Sequence, residues 1–366
     1  MSSPCQLPFL LAANASFNRA YLKSSFWKLS NRKLALPETI FTRYNSRTMA
    51  TGSARTGPFI GQSGRSYNVE RVLQEETDPP RQVYVATADN RAFVLKYIHA
   101  VNFDYLEAIN SRLRGYASHV RLVEDTIPEK SMFVFEYFAD HLLHLAQMDL
   151  PREMMKRVLR DALRGIAELH DQDIVHTDIK ADNVFIDYRN NQSGTAVIEH
   201  VQLGDLEDAA HIPLGSSMIG KQAGNWMWRS PEAHAKGPVN KPSDIFSFAL
   251  VCIYAMHRRV IFAVGDDELE EGAVDPLAIV IERQISYFAD EDGLKGFLKY
   301  LGDNPWVHVF EIVRDGFNKE NPRRPFSLWS GVDNDFKHLI CAMTNFDPEK
   351  RITAREALAH KWFADV

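Results

Sequence analysis

The sequence predicts an α+β fold in two lobes, a small β-rich lobe followed by a larger, mostly helical one. Three observations lead there. Runs rich in β-branched and aromatic residues recur at Val69–Leu73, Gln82–Ala86 and Arg91–Ile98, the pattern of short strands. After Pro151, apolar residues fall at Met155, Val158, Leu159, Ala162, Leu163, Ile166 and Leu169. That i, i+3, i+4 spacing marks a helix with one buried face, opened by a proline where its missing N–H costs nothing. Finally, 366 residues exceed what one hydrophobic core usually holds, so the chain divides.

Apolar residues make up 45% of the chain and charged residues 25%, as in ordinary soluble globular proteins. The net charge of −6 is uneven: residues 1–65 carry nine Lys/Arg against Glu38 alone, or +8, which leaves −14 for the rest. An acidic body argues against nucleic acid as the main partner. Cys5, Cys252 and Cys341 show no metal-ligand spacing, so neither a disulfide framework nor structural zinc is expected, and a reducing compartment fits. The apolar run Phe246–Met256 is too short to span a bilayer and reads as a buried helix. The basic, acid-poor residues 1–60 have the composition of a mitochondrial transit peptide. A disordered tail, or synthesis starting at Met49, accounts for the same residues. The expected location is intracellular, cytoplasmic or nuclear, with a mitochondrial address left open by this N-terminus.

Chemistry concentrates in an ordered series of short motifs. Phe93-Val94-Leu95-Lys96 is an apolar strand ending in one lysine. Ser131–Phe138 is a second strand, and the helix after Pro151 then delivers His176-Thr177-Asp178-Ile179-Lys180-Ala181-Asp182-Asn183. This run sets a carboxylate, an ammonium and an amide within six positions, the set that phosphoryl transfer uses to orient a hydroxyl, neutralise charge and hold a metal. The strand Val184-Phe185-Ile186 leads to Gly204-Asp205-Leu206-Glu207, then Arg229-Ser230-Pro231-Glu232, Ser243-Asp244-Ile245-Phe246 and Asp347-Pro348-Glu349-Lys350-Arg351. Thr353 and Glu356 form a capping-box pattern at the last helix.

In this order, from about Tyr67 to Phe363, the motifs resemble those of the eukaryotic protein kinases. The resemblance implies a bilobal protein-kinase-like fold with a small lobe over 67–138 and a large lobe over 139–363, using ATP and Mg²⁺. It implies that Asp178 is the base or hydroxyl orienter, that Lys180 neutralises the migrating phosphoryl group, and that Asn183 and Asp205 hold Mg²⁺ through hard oxygen donors. It gives Lys96 the α- and β-phosphates, with Glu107 as its partner or else as an exposed helix residue. Val83, Val94 and Phe185 are expected to flank the adenine, Phe135 to close its back, and the backbone of Glu136 and Phe138 to meet its edge. Glu232 with Arg351, and Asp244, match scaffold residues.

Departures from the pattern are equally specific. Gln74 to Val83 contains no glycine where G-x-G-x-x-G is expected, and Glu75, Glu76, Asp78, Pro79 and Pro80 stand there instead. Weaker nucleotide binding follows, since amide donors are lost and acids added; Arg81 offers partial compensation. Thr177 replaces an arginine that binds an activation-segment phosphate, so dependence on such phosphorylation is not expected. Glu207 replaces a glycine and faces either the metal or solvent. The leading expectation is a Ser/Thr protein kinase acting on a protein hydroxyl, favoured by Lys180. A pseudokinase with a binding or scaffolding role is the alternative, and a small-molecule phosphotransferase the third. The acidic run Asp266–Glu271, Trp306 and Trp329 are read as a solvated turn and core residues, or as partner-recognising features.

Overall fold

The structure, a computed structural model, describes residues 57–366 except 78–79, 149, 191–195, 266–267 and 269–274. Residues 1–56, and with them most of the transit-peptide-like stretch, lie outside the described residues, as does the acidic run 266–271 apart from Glu268.

The small lobe is built on a six-stranded antiparallel sheet. Its strands are Phe59–Ile60 (β1), Ser66–Thr77 (β2), Pro80–Ala88 (β3), Arg91–Tyr97 (β4), Asp125–Ile127 (β5) and Met132–Glu136 (β6), in the order β1-β2-β3-β4-β6-β5. The folded body therefore begins ahead of Tyr67. Period-two alternation gives the sheet two faces. Tyr84, Ala86, Phe93, Leu95, Met132 and Val134 form an outer core with Tyr67. In the cross-strand register Val83 stands opposite Lys96 and Lys96 opposite Phe133, while Val94 lies between Val85 and Phe135. This second face looks toward the large lobe and carries the predicted ligand-facing residues. Between β4 and β5 runs helix α1, Ala100–Leu113, burying Phe103, Leu106, Ile109 and Leu113. Phe103 packs on Phe133 with ring centroids 4.7 Å apart.

The glycine-free segment behaves as its composition dictates. β2 and β3 remain paired out to Thr77 opposite Pro80, so a ribbon of two strands extends where a flexible phosphate-cradling loop would turn. Glycine's absence removes the φ > 0 conformations such a loop needs.

The large lobe is organised around two buried helices. Helix α2, Arg152–Asp171, buries all seven residues of its predicted apolar stripe. Helix α3, Lys241–His257, is buried continuously from Ser243 to Ala255; it is hydrophobic all round because other elements surround it. Around them lie α4 (Pro276–Phe288), α5 (Glu291–Leu301), α6 (Trp306–Asp315), α7 (Asn334–Met343) and α8 (Ala354–Leu358). Thr353 and Glu356 close a reciprocal capping box at α8. Trp329 packs edge-on against Tyr287 at 5.2 Å and Trp306 joins the cluster around Phe297 and Phe310, so both tryptophans serve packing. Arg351 holds Glu232 through two guanidinium hydrogen bonds of 2.6 and 3.2 Å, both side chains at most 1% exposed. No helix among the described residues is long and apolar enough to cross a membrane.

Short strands Asp140–His141 (β7), Ile174–Val175 (β8), Val184–Asn190 (β9), Ala196–Leu203 (β10) and Ala210–His211 (β11) line the boundary between the lobes, in sheets β10-β9-β7 and β11-β8. Residues 176–183 and 204–209 are the connections these strands leave on that boundary.

Candidate active site

Asp244, on α3 and 1% exposed, fixes the loop that follows β8. Its carboxylate accepts the backbone N–H of His176 at 2.8 Å and of Thr177 at 2.9 Å, with His170 Nε2 at 3.0 Å. Three donors on one buried carboxylate hold the loop in place. The grip is needed because Thr177 has φ = +65°, an unfavourable region for a β-branched residue. Thr177 Oγ1 also donates to the Asp208 carbonyl at 2.8 Å. His176 Nε2 lies 2.9 Å from the Gly204 carbonyl and must donate to it. Its Nδ1 is thereby left as the acceptor for the Asp178 N–H at 3.3 Å, and the 176 and 204 loops are tied together.

On this platform Asp178, Lys180 and Asn183 converge. Lys180 Nζ stands 3.0 Å from Asp178 Oδ2, and Asn183 Nδ2 donates to the Asp178 carbonyl at 2.9 Å. Since the amide nitrogen is used there, the Asn183 oxygen is the atom left for a cation. Burial pulls the Lys180 pKa down, but Asp182 and Asp178 outweigh it and leave it raised. Asp178 Oδ1 accepts the Asn225 N–H at 2.8 Å. The segment bearing Asn225 comes this close only because residue 224 is glycine: its φ is +78°, and a Cβ there would meet the Thr177 carbonyl oxygen at 2.3 Å.

Lys96 reaches this cluster from β4, and here the structure corrects the sequence reading. Its Nζ lies 2.7 Å from Asp205 Oδ1 and 2.9 Å from Glu207 Oε1; among the described residues no ion pair joins it to Glu107. Glu207 takes the partner's place while its side chain stays 43% exposed, so it faces both Lys96 and solvent. Asp205 sits at φ = +63°, a conformation aspartate tolerates better than most residues. Burial pushes the Asp205 pKa up, but Lys96 more than offsets this and it ends lowered. Glu207 is raised, by burial first and by Asp205 as well.

The expected base-contacting residues also come together, with an addition the sequence reading missed. Phe185, on β9, packs edge-on against Phe138 at 6.4 Å. Between them and Phe135 stands the guanidinium of Arg121, 4.5 Å from the Phe185 ring centroid, 5.0 Å from Phe135 and 5.7 Å from Phe138. Its Nε donates to the Glu136 carbonyl at 3.1 Å, and its Nη2 donates to the same oxygen. Gly204 permits this packing, because a Cβ there would meet Phe185 at 2.8 Å and Arg121 at 3.1 Å. The one signal in the sequence was a charged residue inside the apolar run Val120-Arg121-Leu122-Val123. Asn225 and Asp208, which bond through backbone atoms, gave none.

A metal would find hard oxygens at Asp205 and Asn183, with Glu207 beside them. Among the described residues no group of three or more His, Cys, Asp or Glu is gathered for a metal, so any cation here is completed by an amide oxygen and a ligand's own atoms. That donor set suits Mg²⁺ better than zinc or copper.

Comparison with known proteins agrees with this architecture. The family described as "Protein kinase domain" matches residues 113–363. Extracellular signal-regulated kinase 1 of Dictyostelium discoideum is 28% identical over 56% of this chain and 34% of its own length. Cyclin-dependent kinase 4 of Ovis aries is 27% identical over 58% of this chain and 60% of its own length. The chain thus spans between a third and three fifths of these relatives. Among solved structures, the yeast RNA Pol II CTD kinase complex aligns with a TM-score of 0.63 at 17% identity, over 81% of this chain and 92% of that one, which establishes likeness of fold alone. With the family matched over most of the chain and its two-lobed architecture present, the protein belongs to the protein kinase family.

Proposed function

We propose that the protein is an ATP- and Mg²⁺-dependent serine/threonine protein kinase, its catalytic unit running over residues 67–363 with the lobes meeting near Phe138. The observation that carries this is the convergence of Asp178, Lys180 and Asn183 on one braced loop, with Lys96 and Asp205 joined beside it. Asp178 accepts the proton of a substrate hydroxyl, and Lys180, three ångströms away, offsets the charge that develops on the transferred group. Asn183 and Asp205 would hold Mg²⁺, which would supply neutralisation of the polyphosphate. Lys180 two residues after Asp178 favours Ser/Thr acceptors.

A second reading, a pseudokinase that binds or scaffolds, draws support from the glycine-free hairpin and from Glu207 on Lys96. The two separate on γ-phosphate transfer from Mg-ATP to a mixed Ser/Thr/Tyr peptide library. Transfer to Ser/Thr that drops by about 10²-fold or more in Asp178→Asn supports a kinase. Transfer no higher than in that variant removes the catalytic reading.

A further inference from the structure

Arg121 has no role in the chemistry described above, yet it is 7% exposed at the meeting of the lobes. Burying a guanidinium is costly unless its donors and charge are satisfied. Its partners are one backbone carbonyl, that of Glu136, and three aromatic rings. Among the described residues no carboxylate lies within ion-pair distance of it. Burial brings its pKa down to about 10, with Asp205 and Glu136 opposing, so the group is a cation at neutral pH. Cation–π attraction to the desolvated rings offsets part of the burial cost, and the bifurcated bond to Glu136 adds direction. The backbone is fixed too, since the Arg121 N–H donates to the Leu203 carbonyl at 2.8 Å.

These are the contacts a nucleotide base makes: a flat π surface against Phe185, an N–H donor to the Glu136 carbonyl, and Phe135 behind. The planar guanidinium makes all of them at once. We propose that Arg121 occupies the base slot of the nucleotide site, so that the site reads the metal-bound polyphosphate and gains little from the base while the arginine is in place. Identifying this slot rests on the kinase reading; what fills it rests on the geometry of Arg121. Two flanking features point the same way. The β2–β3 ribbon offers the phosphates no glycine loop, and Gly204 yields the room the arginine stem needs.

The test compares Mg-ATP with Mg-tripolyphosphate by calorimetric titration of the full chain. In the wild type the two dissociation constants are expected within about threefold of each other. In Arg121→Val, which leaves an apolar side chain among the rings, ATP should gain at least about tenfold over tripolyphosphate. Wild-type binding of ATP about tenfold or more tighter than tripolyphosphate overturns the proposal, because the base is then already seated. Parity that persists in a folded Arg121→Val also overturns it. Should neither ligand bind the wild type, ATP binding to Arg121→Val supports it and no binding overturns it. If Arg121→Val does not fold, the wild-type comparison decides alone. None of these readouts is catalytic, so absence of Asp178-dependent transfer would remove the kinase reading and leave this comparison intact.

Discussion

Asp244→Asn isolates the device that holds the candidate catalytic loop. The substitution keeps the shape of the side chain and removes its charge. Oδ1 serves Thr177 N–H at 2.9 Å, and Oδ2 serves His176 N–H at 2.8 Å and His170 Nε2 at 3.0 Å. An amide has one oxygen, so whichever way it turns, its NH₂ faces at least one N–H donor. Each hydrogen bond to a charged group contributes about 1.5–3 kcal/mol, and each buried donor left unpaired costs about 1–3 kcal/mol. Removing a buried charge returns part of its desolvation cost, so the net loss is about 3 kcal/mol. At about 2.1 cal/mol/K of unfolding entropy per residue, a chain of this size shifts by about 1.5 °C per kcal/mol, so the thermal midpoint should fall by about 4–5 °C.

Activity should fall further than stability alone explains. Thr177 is held at φ = +65° by this grip, and a loosened Thr177 relaxes toward ordinary backbone, carrying Asp178 with it. Displacement of a reacting group by an ångström costs about 10²-fold. Scanning fluorimetry and peptide phosphorylation below the lowered midpoint read the two effects separately. Asp335→Asn, at an exposed pair with Lys361, is the control expected to change little. A midpoint within about 2 °C of wild type would show that Asp244 does not brace the loop, and the reasoning on Thr177 would fall with it.

Lys96→Met leaves Asp205 and Glu207 beside each other with no cation. The lysine is about a quarter exposed, so the loss is about 1–3 kcal/mol, less than for a fully buried pair. In the wild type the lowered Asp205 pKa contributes stability above the ordinary carboxylate range, lost only as pH falls through the lowered value. Without the lysine the folded-state values rise instead, so the charged pair destabilises above the unfolded-state values and acid relieves it. Chemical denaturation should therefore find the variant's deficit larger at about pH 8 than at about pH 5.5; the opposite trend would sink the pairing. Arg351→Met should cost about 3–5 kcal/mol by stranding buried Glu232. Adding Glu232→Leu should recover part of that, the Asn345 and Pro242 carbonyls staying unpaired. A double variant no better than the single would show that the loss lies in those carbonyls, not in the stranded charge.

What the sequence made legible were residues whose chemistry is local or fixed by type. The stripe on α2 follows from helical period alone, and the capping box from four adjacent residues. Asp178, Lys180 and Asn183 act from one short loop, so their spacing already implied that they meet. The partner of Lys96 was misread because that choice depends on side-chain reach across the fold. Glu107 sits on α1, about ten residues from Lys96 in sequence, whereas Glu207 arrives from the far side of the cleft. Arg121 escaped notice for a similar reason. Its partners Phe135, Phe138 and Phe185 are 14, 17 and 64 positions away, and no spacing rule links a guanidinium to three rings and a carbonyl.

These two surprises share one physical cause. Under the proposed kinase reading, Asp178, Lys180, Asn183 and Asp205 stand together at the phosphate end of the cleft. At the base end Arg121 lies among Phe135, Phe138 and Phe185, and the roof over the phosphates is a glycine-free ribbon. Glu207 adds a second carboxylate to Lys96, so the resting cluster of Lys96, Asp205 and Glu207 carries a net negative charge. A polyphosphate without metal would be repelled there and would find few amide donors in the β2–β3 ribbon. Asp205, Glu207 and the Asn183 oxygen would hold a divalent cation, which would supply positive charge there. Under the proposed reading, affinity here would come chiefly from metal and phosphate, with Arg121 setting how much the base adds.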